Sequence, residues 1–157
     1  MPELDERNGS MASETAETAS PVMSAASESR TFAASGSRTF AIQALDRCAI
    51  VAQAGRCGND LAVNVCGGSL HHVGAVALAQ PEDDPIRQAT VSVIAAYGHR
   101  DDEVAKRIAK RLAGALHCTV SVSAGIHIDD ATASEIAEIV RACDELADAI
   151  ASAYRTL

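Results

Sequence analysis

Histidine and aspartate recur together in this chain at a spacing that could bind a ligand. One run reads Gly98-His99-Arg100-Asp101-Asp102 and another Gly125-Ile126-His127-Ile128-Asp129-Asp130, so His-x-Asp-Asp occurs twice. Neutral imidazole with carboxylate suits a divalent cation such as Mn, Fe, Zn or Mg. Where such a run leads from a strand into a helix, the free amides of the helix N-terminus can also take a phosphate. The two uses compete at the aspartates, because Asp101, Asp102 and Asp130 can equally cap or charge-complement the helices that follow. A third stretch, Gly67-Gly68-Ser69-Leu70-His71-His72-Val73-Gly74, joins two adjacent histidines to a glycine pair that permits close backbone approach to an anion. In an extended segment one of His71 and His72 faces inward and the other outward. Arg56, Arg87 and Arg100 are cations near expected loops, each either near enough for a phosphate or simply solvated. His117 lacks neighbouring carboxylates and reads as a surface residue.

Bringing these stretches to one place requires a particular set of elements. Thr39 to Leu45 and Cys48 to Ala54 are short apolar runs parted by Asp46-Arg47, as in a hairpin. Asp60–Cys66 alternates Leu61, Val63 and Val65 with polar or small residues, the period of a half-buried strand. Val73–Ala79 and the β-branched Ala89–Ala95 read as further strands. From Asp101 the period changes: Val104, Ile108 and Leu112 recur every four residues, with Ala105 and Ala109 beside them. Glu103 and Arg107 form a favourable i,i+4 pair there. Thr119–Ser123 is a short strand. A long helix follows, with Thr132 and Glu135 as a capping box and Ile136, Ile139, Val140, Cys143, Ala147, Ile150 and Tyr154 as its apolar stripe.

The order β-β-β-β-β-α-β-α predicts an α/β (α+β) fold, a mixed sheet of about five to six strands with two main helices. A crossover from the Ala89–Ala95 strand through the Asp101 helix to the Thr119 strand would make those strands parallel and adjacent, placing both His-x-Asp-Asp loops beyond their carboxyl ends, where open α/β sheets bind ligands. The other arrangement is an almost antiparallel sheet with the helices on one face.

The chain has 157 residues, 48% of them hydrophobic but only 3% aromatic and none tryptophan, so its core must be built from Val, Ile, Leu and many Ala. Residues 1–36, rich in Ser, Ala, Glu and Thr, read as a disordered tail, leaving 37–157 as a single domain. The net charge of −8 divides evenly between the first thirty residues and the rest, and neither part offers a basic face for nucleic acid or a membrane surface. Five cysteines without CxxC spacing read as small buried thiols in a reducing compartment. With no signal peptide and no apolar run of the roughly 20 residues that span a bilayer, the expected location is the cytoplasm. GxSxG, P-loop, HExxH and GxGxxG signatures are missing. The apolar stripe of the last helix either covers the sheet or packs on a second copy, in which case a homodimer is expected.

Together, His72-Val73-Gly74-Ala75-Val76-Ala77 after a Gly-Gly turn, Gly98-His99-Arg100-Asp101-Asp102, and Ala124-Gly125-Ile126-His127-Ile128-Asp129-Asp130-Ala131 resemble the prenylated-flavin chaperones of the LpdD-like family. Gly58-Asn59-Asp60-Leu61 is similar to that family's Gly-x-Asp-Leu lead-in to a strand, and the resemblance runs over residues 45 to 152. It implies a non-catalytic accessory of the UbiD-type decarboxylase system. Such a protein binds reduced prenylated FMN with a divalent metal and passes it from the flavin prenyltransferase to the decarboxylase. By the same resemblance, His72, His99, Asp101, His127 and Asp129 would face the metal. Gly67, Gly68, Ser69, His72, Gly98, His99, Arg100, Gly125 and His127 would face the cofactor. The family tends to carry Pro before the motif histidine, where this chain has His71. The alternative from the residues alone is a small metal-dependent hydrolase or lyase using the same His/Asp cluster.

Overall fold

Leu61, Val63 and Val65 are buried while Ala62 and Asn64 between them are exposed, and the same period of two runs through the second and fourth strands. In the computed structural model, which describes residues 37–84, 86–98 and 100–155, such patterns yield six strands and two helices. They are β1 Arg38–Leu45, β2 Cys48–Cys57, β3 Asp60–Gly68, β4 Ala75–Pro81, β5 Ala89–Ala95, α1 Asp102–Leu116, β6 Val120–His127 and α2 Ala133–Arg155. The described residues all belong to one compact unit, Ala33–Leu157. The expected tail 1–36 and the expected ligand His99 lie outside the described residues.

The element order is the expected one, but the neighbours are not. The sheet runs β1-β2-β3-β6-β4-β5, so β5 and β6 point the same way with β4 between them. They are parallel in direction and not adjacent. The reason is local. The short link after Pro81 returns the chain beside β4, and short links favour antiparallel neighbours. Only the β3–β6 ladder is parallel. Helix α1 packs on β4, β5 and β6, and α2 packs on β1, β2 and α1. Val76, Leu78 and Ile94 remain exposed on the sheet's other side. The nearly antiparallel sheet with both helices on one face is therefore the arrangement that forms.

Several strand ends also differ from expectation, and β2 runs on to Cys57 and β3 to Gly68. β4 starts at Ala75 rather than Val73, and β6 continues past Ser123 to His127. The extension is possible because Gly67 and Gly68 continue β3 and pair with Ile126 and His127. A glycine pair that reads as a strand breaker here allows two backbones to lie close.

The core is rich in alanine, as the composition requires, with Ala77, Ala79, Ala105, Ala109 and Ala147 fully buried between helices and sheet. On α2, Ile139, Cys143, Ala147, Ile150 and Tyr154 face the core, but Ile136 is 52% exposed. All five thiols are free; Cys48 and Cys143 are buried, Cys66 and Cys118 partly so, and Cys57 is exposed. Burial pushes the Cys143 thiol up to about 12, so it packs as a small apolar group. No helix among the described residues is long and apolar enough to cross a membrane.

The expected capping box forms, with Thr132 N–H donating to Glu135 Oε2 at 2.9 Å and Glu135 N–H to Thr132 Oγ1 at 3.3 Å. The expected Glu103–Arg107 pair is replaced by links between helices. Arg107 donates to both oxygens of Asp144 at 2.6 Å, and Arg111 to those of Asp148 at 2.6 and 2.7 Å. These hydrogen bonds hold both aspartates below the usual carboxylate range. A depressed native value means stability that is present above the unfolded value of about 3.9 and is lost as pH falls through the native one. The pairs are partly exposed, so Arg107→Ala and Arg111→Ala should each cost about 0.2–1 kcal/mol near neutral pH. Each variant should also lose less stability than the parent on acidification. Urea midpoints at neutral pH and at about pH 3 check both statements.

Tyr154 ties the end of α2 to the sheet. Its hydroxyl donates to the Ala54 carbonyl at 2.6 Å, and Arg38 and Arg56 each sit 5.5 Å from the ring centre. Tyr154→Phe removes the donor and should cost about 1 kcal/mol, whereas Tyr154→Ala, which also leaves a cavity, should cost about 3–5 kcal/mol. Denaturant unfolding with an unchanged slope would give both values.

Candidate functional site

The topology assembles three distant stretches at one edge of the sheet. β3, β5 and β6 end there and β4 begins there, since Ala75 pairs with both Ala95 and Ala124 while Gly68 pairs with His127. The lead-in to β4 carries His72 into this edge. It is held between β6 and β5, with Gly74 N–H donating to Ala124 O at 2.9 Å and Ala96 N–H donating to Gly74 O at 2.7 Å.

At the centre is Asp101, the one charged side chain buried among the described residues, at 6% exposure. It stands at the N-cap position of α1 yet makes no side-chain capping bond. Its carboxylate turns inward instead. Oδ1 accepts the Ile126 N–H at 2.9 Å, and Oδ2 lies 3.2 Å from His72 Nε2. His72 Nδ1 lies 3.2 Å from the Leu70 carbonyl, so the ring is oriented from both ends. Of the histidine pair, His72 is the inward one and His71 is exposed. The His127 ring meets the His72 ring edge-on, 6.0 Å between centroids. His127 Nε2 lies 3.0 Å from Asp129 Oδ1 on the exposed side.

Two glycines make this packing possible. A Cβ on Gly74 would stand 1.9 Å from Asp101 Oδ2, and one on Gly125 would stand 1.9 Å from the His72 carbonyl oxygen. Neither contact is compatible with a side chain, so both positions must be bare.

The remaining expected residues are distributed around this centre. Gly67 is buried within β3, and Ser69 N–H donates to His127 O at 2.9 Å. Gly98 and Arg100 are exposed in the β5–α1 link. Asp102 enters the first turn of α1, as the helix-complementing reading requires, and Asp130 is exposed with φ 52°. His117 is exposed at the left-handed end of α1. Among the described residues, no group of three or more His, Cys, Asp or Glu is placed to hold a metal ion.

A groove of about 500 Å³ opens beside Asp101 and His127, between the first turns of the two helices. Val104, Ile126, Ile128, Ile136, Ile139 and Val140 form its apolar lining, and Arg100, Asp101, Glu103 and His127 its polar lining. The sequence places most of these residues on helix stripes directed at the core. The signal for another role was that Ile136 extends the α2 stripe into the first turn, beyond the body of the sheet. Gly74 and the Ile126 amide, both needed to seat Asp101, carry no chemistry of their own, and although both lie inside the family-like segments nothing in their spacing ties them to Asp101.

Comparison with known proteins bears on what this edge is for. Residues 44–155 match the family described as "Prenylated flavin chaperone LpdD-like domain". A relative, Protein LpdD of Lactiplantibacillus plantarum, is 32% identical over 97 residues, which is 60% of this chain and 69% of that protein. A similar fold occurs in a crystal structure of a novel chaperone complex for yeast 20S proteasome assembly, with TM-score 0.50 and 12% identity over 74% of this chain and 95% of that one. That likeness is one of fold alone. The family match covers every element from β2 to α2, and with it the whole sheet edge that seats His72, Asp101 and His127, so the chain belongs to the LpdD-like family of prenylated flavin chaperones.

Proposed function

We propose that this chain binds reduced prenylated FMN at the His72–Asp101–His127 edge and delivers it from a flavin prenyltransferase to a UbiD-type decarboxylase. The carrying observation is that two imidazoles from distant stretches stand 6.0 Å apart, with one of them held by a buried carboxylate. Such an arrangement is preorganised, because the His72 ring is held in place before any ligand arrives. Gly67, Gly68, Ser69 and Gly125 keep the backbone low around the two rings. Gly98 and Arg100, in the β5–α1 link, would add contacts, with Arg100 offering a charge for the phosphate, and His99 would join them as a further ligand contact.

Membership of a chaperone family makes this a binding protein and not a catalyst. No observation favours the hydrolase or lyase reading. The metal is a separate matter. The described donors fall short of a closed site, and Asp101 already uses both oxygens on Ile126 and His72. A divalent ion, whether Mn, Fe, Zn or Mg, would therefore need oxygens from the flavin phosphate beside His72, His99, His127 and Asp129, with Asp101 orienting rather than ligating. Residues 37–157 carry this activity as one domain in the cytoplasm, as a homodimer if the exposed apolar sheet face is shared.

The test is anaerobic purification after coexpression with a flavin prenyltransferase. The protein should emerge with the absorbance and mass of prenylated FMN. Recovery without flavin, from cells that make it, would count against the proposal.

A further inference from the structure

The groove between α1 and α2 is amphipathic in a way the polar edge alone does not require. Ile136, Ile139, Val140 and Ile126 give it apolar lining, and Asp101, Glu103, His127 and Arg100 give it polar lining. Ile136 is 52% exposed, an apolar side chain left in water on a helix whose stripe is otherwise buried apart from the half-buried Val140. Exposed isoleucine on a groove wall marks surface that gains by being covered. The volume of about 500 Å³ lies within the roughly 300–1,000 Å³ usual for small-molecule sites, which combine apolar walls with a few polar groups.

We infer that this groove takes the fused aromatic ring system of the flavin, lying against Ile136 and Val140, while its phosphate end stays with Arg100 and the histidines. The inference rests on the flavin-binding reading and adds an orientation to it. The occupant is small and amphipathic because the groove continues directly into the His127–Asp101 edge, so one molecule with an apolar body and an anionic end meets both surfaces. Rings lying against Ile136 would also be shielded from water on that side.

The experiment compares the full chain with Ile136→Glu and with the milder Ile136→Ala, using reduced prenylated FMN under anaerobic conditions. Because Ile136 is half exposed, both variants should melt close to the parent. Affinity should fall by about tenfold or more in Ile136→Glu, equivalent to about 1.4 kcal/mol, and by less in Ile136→Ala. Should the parent bind the flavin while both variants bind it equally well, the groove is not the ring site and the chaperone reading survives. Should the parent itself bind no flavin, both fall. If Ile136→Glu proves unstable, the Ile136→Ala affinity decides alone.

Discussion

Gly125→Ala should remove flavin binding altogether and lower the melting temperature by several degrees. The added methyl would stand 1.9 Å from the His72 carbonyl oxygen and 2.6 Å from its carbon. Both are backbone atoms of a segment fixed to β6 by the Gly74–Ala124 hydrogen bond at 2.9 Å, so no rotamer change can relieve the clash. Either β6 or the lead-in to β4 must move. Overpacking of this kind costs about 1–3 kcal/mol, which in a domain of this size is a shift of a few degrees per kcal/mol. The displaced segment carries His72, so the ring would lose its place beside Asp101 even in molecules that fold. Thermal melting and anaerobic flavin titration together check this. A variant that binds normally would show that the lead-in is not held where these contacts put it.

Asp101 separates stability from binding, and two substitutions there should have different outcomes. Asp101→Ala leaves the Ile126 N–H without its carboxylate partner and His72 Nε2 without the oxygen 3.2 Å away. Losing a hydrogen bond to a charged group costs about 1.5–3 kcal/mol, and the ring loses the anchor at Nε2, so both stability and affinity should drop. Asp101→Asn keeps an oxygen for Ile126 and turns its amide nitrogen, a donor, toward His72. The fold should then persist with a smaller loss, while His72 Nε2 can only accept from the new amide and no longer faces a negative charge. Flavin affinity is expected to fall in both, but only Asp101→Ala should lower the urea midpoint by a large amount. Equal stability in the two variants would mean that the Ile126 contact contributes little.

The sequence made the elements legible and left their neighbours obscure. Alternation through Leu61, Val63 and Val65, and the four-residue recurrence of Val104, Ile108 and Leu112, are local signals, and each element appears where they put it. Strand order is set by pairing between distant residues, so nothing near Ala89–Ala95 announces that β4 would lie between β5 and β6. Gly67 and Gly68 carry two meanings in sequence, a strand end or a close approach, and only their pairing with Ile126 and His127 decides. The repeated His-x-Asp-Asp runs pointed to His99 and His127 in neighbouring loops, and only the family resemblance added His72 to them, so the meeting of the His72 and His127 rings was not legible from spacing. Nor was the role of Asp101. An aspartate before a helix satisfies every rule for a cap, and its inward turn depends on a bare Gly74 and an amide in another strand.

Native mass spectrometry of anaerobically purified protein, coexpressed with a flavin prenyltransferase, tests the central claim most directly. The parent chain should carry the mass of prenylated FMN, and a His72→Ala/His127→Ala double variant that still unfolds cooperatively, even at a lower melting temperature, should arrive without it. A double variant that retains the flavin at the parent's occupancy would show that the paired imidazoles are not the site.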